Sequence, residues 1–172
     1  MNLEVLERNP RVQRTWDVLH DVLDPEVPAL SVCDLGIVRD VIAHADGVEV
    51  VLTPTYSGCP ATEVIEQSVI EAVNDAGLGP ARVTLQRAPA WTTDWISDDG
   101  KRKLREYGIA PPSGTAAVNQ QRPIRLIPRE RIECPRCGSK NTERLSAFGS
   151  TACKSLYRCV ACREPFEYFK PL

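Results

Sequence analysis

Histidine is scarce in this sequence, and long apolar runs and glycine-rich phosphate-binding motifs are missing from it. Its 172 residues include two histidines, His20 and His44, so few side chains can serve as the base that a nucleophilic thiol requires. No segment approaches the ~20 apolar residues that a membrane-spanning helix needs. The first residues, MNLEVLERNP, do not resemble a secretory signal. We therefore expect a cytoplasmic protein that is not an independent enzyme.

In the cytoplasm, the seven cysteines are expected to be reduced thiols or metal ligands rather than disulfides.

Charge is distributed unevenly along the chain. Residues 124–172 hold ten Lys/Arg against five Asp/Glu, a net charge of +5, which leaves eleven against eighteen, a net charge of −7, for the rest. An acidic body joined to a basic end suggests two units with different roles, although chance surface composition explains the difference equally well.

The first hundred residues alternate between helix and strand signals. Asn9-Pro10 is typical of a helix start, and an apolar stripe follows it through Val12, Trp16, Leu19 and Leu23. Valine- and isoleucine-rich runs on both sides of Asp46-Gly47 predict a β-hairpin. A helix from Pro60 to about residue 76, a strand in ARVTLQRAP and a short helix over residues 98–107 complete the series.

This order of elements predicts an α+β fold in which helices pack on a small, mainly three-stranded sheet. Residues 110–123, APPSGTAAVNQQRP, have the composition of a linker. The chain is therefore divided into an α+β domain (1–109), a linker (110–123) and a C-terminal zinc ribbon (124–172).

Two cysteine pairs, CPRC and CVAC, predict the zinc ribbon. Two residues between cysteines allow a tight turn to aim both sulfurs at one ion, and two such turns complete a tetrahedral Zn²⁺ site. Cys134, Cys137, Cys159 and Cys162 are the expected ligands of a structural zinc. A redox dithiol and a two-iron cluster are weaker alternatives. Cys153, which lies between the pairs, is interpreted as a buried structural thiol.

A lone cysteine, Cys59 in TPTYSGCPATEV, precedes the predicted helix at Pro60. If Cys59 is the N-cap residue, unsatisfied backbone N–H groups and the positive end of the helix dipole favour its thiolate. That environment suits a nucleophile or a soft-metal ligand. A small buried cysteine is the simpler interpretation, and neither histidine is placed by its spacing to act as a base for Cys59.

Acidic residues and tryptophans supply further candidates. Asp24, Glu26 and Asp34 lie in the loop DPEVPALSVCDLG beside Cys33, where carboxylates can bind a hard cation or cap neighbouring turns, and capping is favoured. Trp91 and Trp95 are candidates for partner contact or for covering the end of the sheet. We expect one of them in the core and the other at the surface.

Several long strings resemble known families. DPEVPALSVCDLGIV and TPTYSGCP are similar to the signature of the SufT-like iron–sulfur assembly domains. APAWTTDWISDDGKRKLREYGIAPP and CPRC…FGSTACKSLYRCVACREPFEYFK resemble the PaaD family of phenylacetate degradation, which joins such a domain to a zinc ribbon. The resemblance extends from about residue 10 to residue 171. It implies that Cys59 is the characteristic thiol, with loop positions at Asp24, Glu26, Asp34, Thr53 and Thr55.

The resemblance also implies a function, that of an accessory protein in making phenylacetyl-CoA epoxidase. In this hypothesis Cys59 binds iron or a transient iron–sulfur cluster, and the reductase or oxygenase components are its clients. Cargo held by one thiolate must be shared with a second copy, with Cys33 or with the client. A structural subunit of the epoxidase is the alternative. Nucleic acid, a third candidate partner because the ribbon is basic, is disfavoured.

Overall fold

The structure is a computed structural model that describes residues 9–56, 58–113 and 131–172. The chain forms two compact units, which divide between Trp91 and Thr92. Most of the linker predicted over 110–123 lies outside the described residues, so the predicted domain bounds stay a prediction. Within the described residues, no helix is long and apolar enough to cross a membrane.

The first unit is an α+β layer of two helices on a three-stranded sheet, as the sequence predicts. The sheet order is β1-β2-β3, with β1 antiparallel to β2 and β3 parallel to β2. Helix α2 contacts β3, and α1 contacts both α2 and β1. The elements are α1 (Pro10–Leu19), β1 (Val38–Ala43), β2 (Val48–Leu52), α2 (Thr62–Asp75) and β3 (Ala81–Leu85).

Local signals explain most of these elements. The Asn9 side chain accepts the Arg11 N–H at the start of α1. The His44 N–H donates to the Gly47 carbonyl at 2.8 Å and closes the predicted hairpin. Helix α2 buries Ile65, Val69 and Val73 at the spacing of one helical face, the pattern of an amphipathic helix packed on a sheet.

The apolar stripe of α1 is shorter than predicted. The helix ends at Leu19, and Leu23 is 51% exposed, so its assignment to the buried stripe is wrong. The chain leaves the helix direction after residue 20 because Leu23 forms a short antiparallel bridge with Ser31. Residues 22–32 therefore fold back on themselves as a closed loop, which the Val32 N–H to Val22 carbonyl bond at 2.9 Å also holds.

The second unit contains the ribbon, together with a helix that precedes it. Its four-stranded sheet has the order β4-β7-β6-β5, in which β4 is parallel to β7 and the other pairs are antiparallel. The elements are a 3-10 helix (Thr93–Trp95), α3 (Asp98–Tyr107), β4 (Ile109–Ala110), β5 (Thr142–Ser146), β6 (Lys154–Cys159) and β7 (Pro165–Phe169). Residue 110, the predicted first residue of the linker, thus belongs to a strand.

Aromatic side chains form the small core of this unit. Tyr157 stacks on Phe166 with ring centroids 5.8 Å apart and meets the edge of Tyr168 at 5.7 Å. Phe169 is also buried. Phe148, by contrast, is 65% exposed, and the Lys170 ammonium lies 4.7 Å from its ring centroid.

Candidate functional site

Two matched turns bring the four paired cysteines together in the second unit. The N–H of the first cysteine in each pair donates to a carbonyl five residues later: Cys134 to Ser139 at 2.9 Å, and Cys159 to Glu164 at 3.0 Å. The residue after the second cysteine of each pair, Gly138 or Arg163, has a positive φ. All four sulfurs consequently lie within 4.8 Å of one another.

The sulfur positions fit zinc. Cys134 Sγ lies 3.8 Å from Cys162 Sγ, and Cys137 Sγ lies 3.5 Å from Cys159 Sγ. Disulfide sulfurs are about 2.0 Å apart, so these contacts are not disulfides. A tetrahedral zinc with Zn–S bonds of about 2.3 Å sets sulfur–sulfur separations of about 3.8 Å. Four thiolates at this spacing are the donor set of a structural zinc site.

The local environment favours the thiolate form of one of these cysteines. The Cys162 N–H points at Cys159 Sγ from 3.5 Å and lowers the pKa of Cys159 to about 6. Cys153 is buried, with its sulfur 2.9 Å from Thr151 Oγ1, and it lies outside the group of four. The interpretation of Cys153 as a buried thiol agrees with this position.

One end of the three-stranded sheet gathers the loops that carry the other candidates. Thr53, just after β2, donates its N–H to the carbonyl of Ile37, just before β1, at 2.9 Å. The Gln86 N–H donates to the Leu52 carbonyl at 2.8 Å, just after β3. The start of β1 and the ends of β2 and β3 therefore meet at the same end of the sheet, which we call the site end.

Cys59 lies in the loop that leaves β2 at the site end. It is half-buried, it follows Gly58, whose φ is +88°, and its carbonyl accepts the Thr62 N–H at 3.2 Å. The helix itself begins at Thr62, with Ala61 as its N-cap residue. The prediction that Cys59 is the N-cap is therefore wrong, because a tight turn over residues 59–62 precedes the helix.

The carboxylates of the preceding loop are committed to turns. Asp24 Oδ1 accepts the N–H groups of Glu26 and Val27 at 2.9 and 2.8 Å. Asp34 Oδ2 accepts the Ser31 N–H at 3.0 Å, and Ser31 Oγ accepts the Asp34 N–H in return. Both aspartates are buried, whereas Glu26 is half-buried. The expectation that these carboxylates cap neighbouring turns agrees with this geometry for Asp24 and Asp34, whereas the Glu26 carboxylate accepts no such bond among the described residues.

Two threonines of the Cys59 loop have different surroundings. Thr53 is 1% exposed, and its Oγ1 has no hydrogen-bond partner among the described residues. Thr55 is half-buried. A buried hydroxyl without a hydrogen-bond partner costs free energy in a folded protein. The Thr53 hydroxyl is therefore available to bond a polar group that binds at the site end.

Cys33 is held as a neutral thiol. Burial raises the pKa of Cys33 to about 12, and the neighbouring Asp34 carboxylate adds to the shift. Since the reactive form of a cysteine is the thiolate, Cys33 is a poor nucleophile at neutral pH.

Alkylation measures this protection. At pH 8 we expect Cys33 to react with iodoacetamide about a thousandfold more slowly than a thiol of pKa 9.0, because its thiolate fraction is smaller by that factor. Peptide mass spectrometry of the native protein gives the rate, and the urea-unfolded chain serves as the comparison. A native rate equal to the unfolded rate would contradict this assignment.

His44 is too far from Cys59 to act as its base, and no hydrogen bond joins the His20 side chain to Cys59 among the described residues. His44 follows β1 at the hairpin turn, the end of the sheet opposite the site end, and its Nε2 lies 2.9 Å from Glu49 Oε2. Five to six strand residues span about 17 Å between these ends. His20 is exposed at the C-terminus of α1. The remote position of His44, and the lack of a hydrogen bond between His20 and Cys59 in the described part of the chain, disfavour cysteine hydrolase chemistry at Cys59.

Of the two tryptophans, one is in the core and the other is half-buried rather than at the surface. Trp91 is buried, and its Nε1 donates to the Leu35 carbonyl at 2.8 Å, so it anchors the loop before β1 at the site end. Trp91 is therefore not an exposed partner contact. Trp95 is half-buried in the second unit. The Trp91–Leu35 bond joins residues far apart in sequence, and no local pattern predicts it.

The site end gathers candidates without completing a metal site. A metal site needs at least three ligand-type side chains close enough to reach one ion. Among the described residues, the four ribbon cysteines meet this condition. Cys59, Cys33 and the carboxylates at the site end do not. The arrangement offers one half-buried thiol beside a loop that buried turns hold in place. It can provide part of a ligand set, but it lacks the parts of a hydrolytic site.

Two family descriptions match the sequence. The iron-sulfur cluster assembly protein family matches residues 13–85, which include Cys59 and the acidic loop. The PaaD zinc beta ribbon domain matches residues 120–170, which include all four paired cysteines. The two matches fall on different parts of the chain.

Three known proteins are similar to parts or most of this chain. A curated protein of Escherichia coli K12, named as one of the subunits of a "Putative 1,2-phenylacetyl-CoA epoxidase", is 49% identical over 94% of this chain and 93% of its own length. A crystal structure of a DUF59 domain of unknown function from Bacillus anthracis is 26% identical. It covers 55% of this chain and 92% of its own, with a TM-score of 0.51. A solution structure from Mycobacterium tuberculosis, of a protein described as associated with [Fe-S] complex assembly and repair, is 31% identical over 62% of this chain and 94% of its own, with a TM-score of 0.33.

Proposed function

The chain belongs to the PaaD family, which joins an iron–sulfur assembly domain to a zinc ribbon, and from this premise we propose that it is a non-catalytic maturation factor. In this proposal it delivers iron or an iron–sulfur cluster to the components of a phenylacetyl-CoA epoxidase. The epoxidase comes from the name of the Escherichia coli relative. The cargo comes from the assembly family that matches residues 13–85.

The observation that supports the proposal is a half-buried thiol at the site end that makes no hydrogen bond to either histidine among the described residues. Cys59 follows β2, whereas His44 lies at the opposite end of the same hairpin. A thiol without a base is unsuited to acyl transfer but remains a soft ligand for iron. The zinc ribbon has its own four cysteines, so Cys59 is not required for the structural metal.

The ligand set at Cys59 is incomplete, and we propose that this incompleteness serves transfer. A [2Fe–2S] cluster takes four protein ligands, and one thiolate supplies a quarter of them. The remaining ligands come from the client as the cargo passes to it. Burial and the Asp34 carboxylate raise the pKa of Cys33, so it can serve as a second ligand only if the metal displaces its proton. A site that holds cargo weakly also releases it readily.

The ribbon is proposed to recognise the client. Its described residues 131–172 hold eight Lys/Arg against four Asp/Glu. Zinc with four thiolates carries −2, so this part of the ribbon keeps a net charge of about +2. Residues 9–56 and 58–91, by contrast, hold five Lys/Arg against twelve Asp/Glu. A basic surface on the ribbon favours an acidic client and speeds encounter with it.

A second function, that of a structural subunit of the epoxidase, is favoured by one observation. The Escherichia coli relative is named as a subunit, and it aligns with nearly the whole of this chain. A subunit stays with the active enzyme in fixed stoichiometry, whereas a maturation factor leaves it.

Isolation of active epoxidase separates the two functions. We expect enzyme matured in cells that contain this chain to retain activity after the chain has been removed from it. Enzyme made without the chain should lack iron or cluster. The measurements are subunit stoichiometry by quantitative mass spectrometry, iron content and epoxidase activity. Fixed stoichiometry together with loss of activity on removal of the chain would favour the structural subunit.

A further inference from the structure

Strand β3 is an open edge of the three-stranded sheet. The order β1-β2-β3 leaves one side of β3 without a partner strand among the described residues. The Pro80 carbonyl accepts the Val48 N–H at 3.0 Å, and the Gln86 N–H donates to the Leu52 carbonyl at 2.8 Å. Because backbone groups alternate in direction along a strand, the even-numbered residues face β2 and the odd-numbered residues face outward.

The outward-facing backbone N–H and carbonyl groups of β3 lie symmetrically about Thr84. The Ala81 N–H is already taken by Asn74 Oδ1 at 2.9 Å. The next two outward residues, Val83 and Leu85, lie one position on either side of Thr84. Each offers an N–H and a carbonyl that have no partner in the described chain. Their side chains are half-buried, and they alternate with the exposed Arg82 and Thr84.

The opposite edge of the same sheet is protected. Strand β1 has a bulge between Val38 and Asp40, and the Asp40 carboxylate accepts the Val41 N–H at 2.8 Å. Bulges and charged side chains are the usual means by which proteins prevent pairing at a free edge. Strand β3 pairs with β2 in unbroken register from Ala81 to Leu85. The sheet therefore discourages pairing on one edge and permits it on the other.

We propose that β3 pairs antiparallel with β3 of a second copy of this chain, with Thr84 opposite its own symmetry mate. In that register Val83 lies opposite the second Leu85, so the N–H and carbonyl groups of both residues form four hydrogen bonds across the two-fold axis. Arg82 lies opposite Gln86, so like charges do not meet directly. The Thr84 hydroxyl already donates to Glu49 Oε1 at 2.7 Å in its own chain, so the backbone hydrogen bonds, rather than a bond between the two threonines, stabilise the pairing at the axis.

The pairing joins two three-stranded sheets into one sheet of six strands. It also decides whether a second copy could supply a ligand to iron or a cluster bound at Cys59. The two β2 strands are three strand spacings apart, about 14 Å, and they run in opposite directions. Each Cys59 loop leaves the C-terminal end of its own β2, so the two loops leave opposite ends of the joined sheet. A second copy bound in this way does not supply the missing cluster ligand, and the client remains as the source.

Cross-linking at the axis tests the register. In a Cys59→Ser background, the Thr84→Cys variant should form an intermolecular disulfide on mild oxidation. Residues opposite each other in a non-hydrogen-bonded pair have Cα atoms about 4.5 Å apart, within disulfide range. The matched variant Arg82→Cys places its thiols about 13 Å apart along the strand, beyond that range. We expect at least ten times more covalent dimer from Thr84→Cys, and equal yields would overturn the proposal.

Sedimentation tests the association without an added thiol. The full zinc-loaded wild-type chain should approach twice its 19.1 kDa mass as its concentration rises. Thr84→Lys places two lysines face to face and should weaken the association at least tenfold, whereas Ile42→Lys on the β1 edge should leave it unchanged. A wild-type chain that stays monomeric throughout would overturn the proposal. So would Thr84→Lys if it kept the dimer and lost client binding, because the edge would then belong to the client.

Discussion

Replacement of Cys159 by serine is expected to release the zinc and to unfold the ribbon strands over residues 142–169. Binding of structural zinc contributes about 10–16 kcal/mol of apparent free energy in small zinc domains. That is comparable to the ~5–15 kcal/mol by which a whole domain is usually stable, so loss of the metal removes as much free energy as such a domain has to spare. The ribbon core that remains consists of a few aromatic side chains around Tyr157 and Cys134. Those contacts are too few to replace the metal.

Metal analysis and amide NMR measure this effect. Wild-type protein should contain one equivalent of zinc, and Cys159→Ser should contain almost none and lose the dispersed amide signals of β5, β6 and β7. Cys153→Ala is the matched control, because Cys153 is a buried cysteine outside the group of four. It should keep its zinc. Less than half an equivalent of zinc in the wild type, with no iron, would contradict the zinc assignment.

Replacement of Cys59 by serine is expected to deprive the client enzyme of its metal while leaving this chain folded and zinc-loaded. The substitution exchanges sulfur for oxygen at a half-buried position, so we expect little change in stability. A hydroxyl is a far weaker ligand for iron than a thiolate, so cargo binding should be lost. In cells that contain only this variant, the iron content of the epoxidase components should fall close to that of cells without the chain.

The control for this prediction is again Cys153→Ala, which should restore client iron to the wild-type level. Thermal unfolding of the Cys59→Ser protein verifies that its fold is intact. Full iron content and full epoxidase activity in cells with only Cys59→Ser would show that Cys59 does not handle the cargo.

Local chemistry explains why much of the fold is predictable. Asp46-Gly47 predicts the hairpin because Asp-Gly is a preferred turn sequence and both flanking runs have strand composition. The helix Asp98–Tyr107 is predicted at its observed bounds, since Ser97 caps its start and Gly108 ends it at a φ of +96°. The cysteine spacing alone predicts which four sulfurs meet in the ribbon.

Features that depend on distant contacts could not be predicted in this way. The two-residue strand β4 exists because Ile109 and Ala110 pair with β7, nearly sixty residues away. Leu23 continues the helical spacing of α1, yet a bridge to Ser31 removes it from the helix. The N-cap assignment of Cys59 is wrong because proline is compatible both with a first helical turn and with the tight turn observed.

At the site end, too, local sequence predicts the candidate residues but not the distant contacts that bring them together. Sequence identifies Cys59, Asp24 and Asp34 as candidates, but their common placement follows from strand order and direction. The parallel pairing of β3 with β2 brings Trp91 to the loop before β1, where it bonds to Leu35. The raised pKa of Cys33 likewise comes from burial, which no sequence pattern specifies.

Anaerobic reconstitution with iron and sulfide tests the role of Cys59 most directly. With a small thiol in excess, which can fill the ligand positions that the client supplies in the proposed transfer, the purified, zinc-loaded wild-type chain should acquire iron and an iron-dependent absorption spectrum, and Cys59→Ser treated identically should acquire neither. Zinc content, measured on the same samples, should be equal in the two proteins. Equal iron binding by both proteins, or none by the wild type, would contradict the assignment of Cys59 as the ligand for transferred iron or cluster.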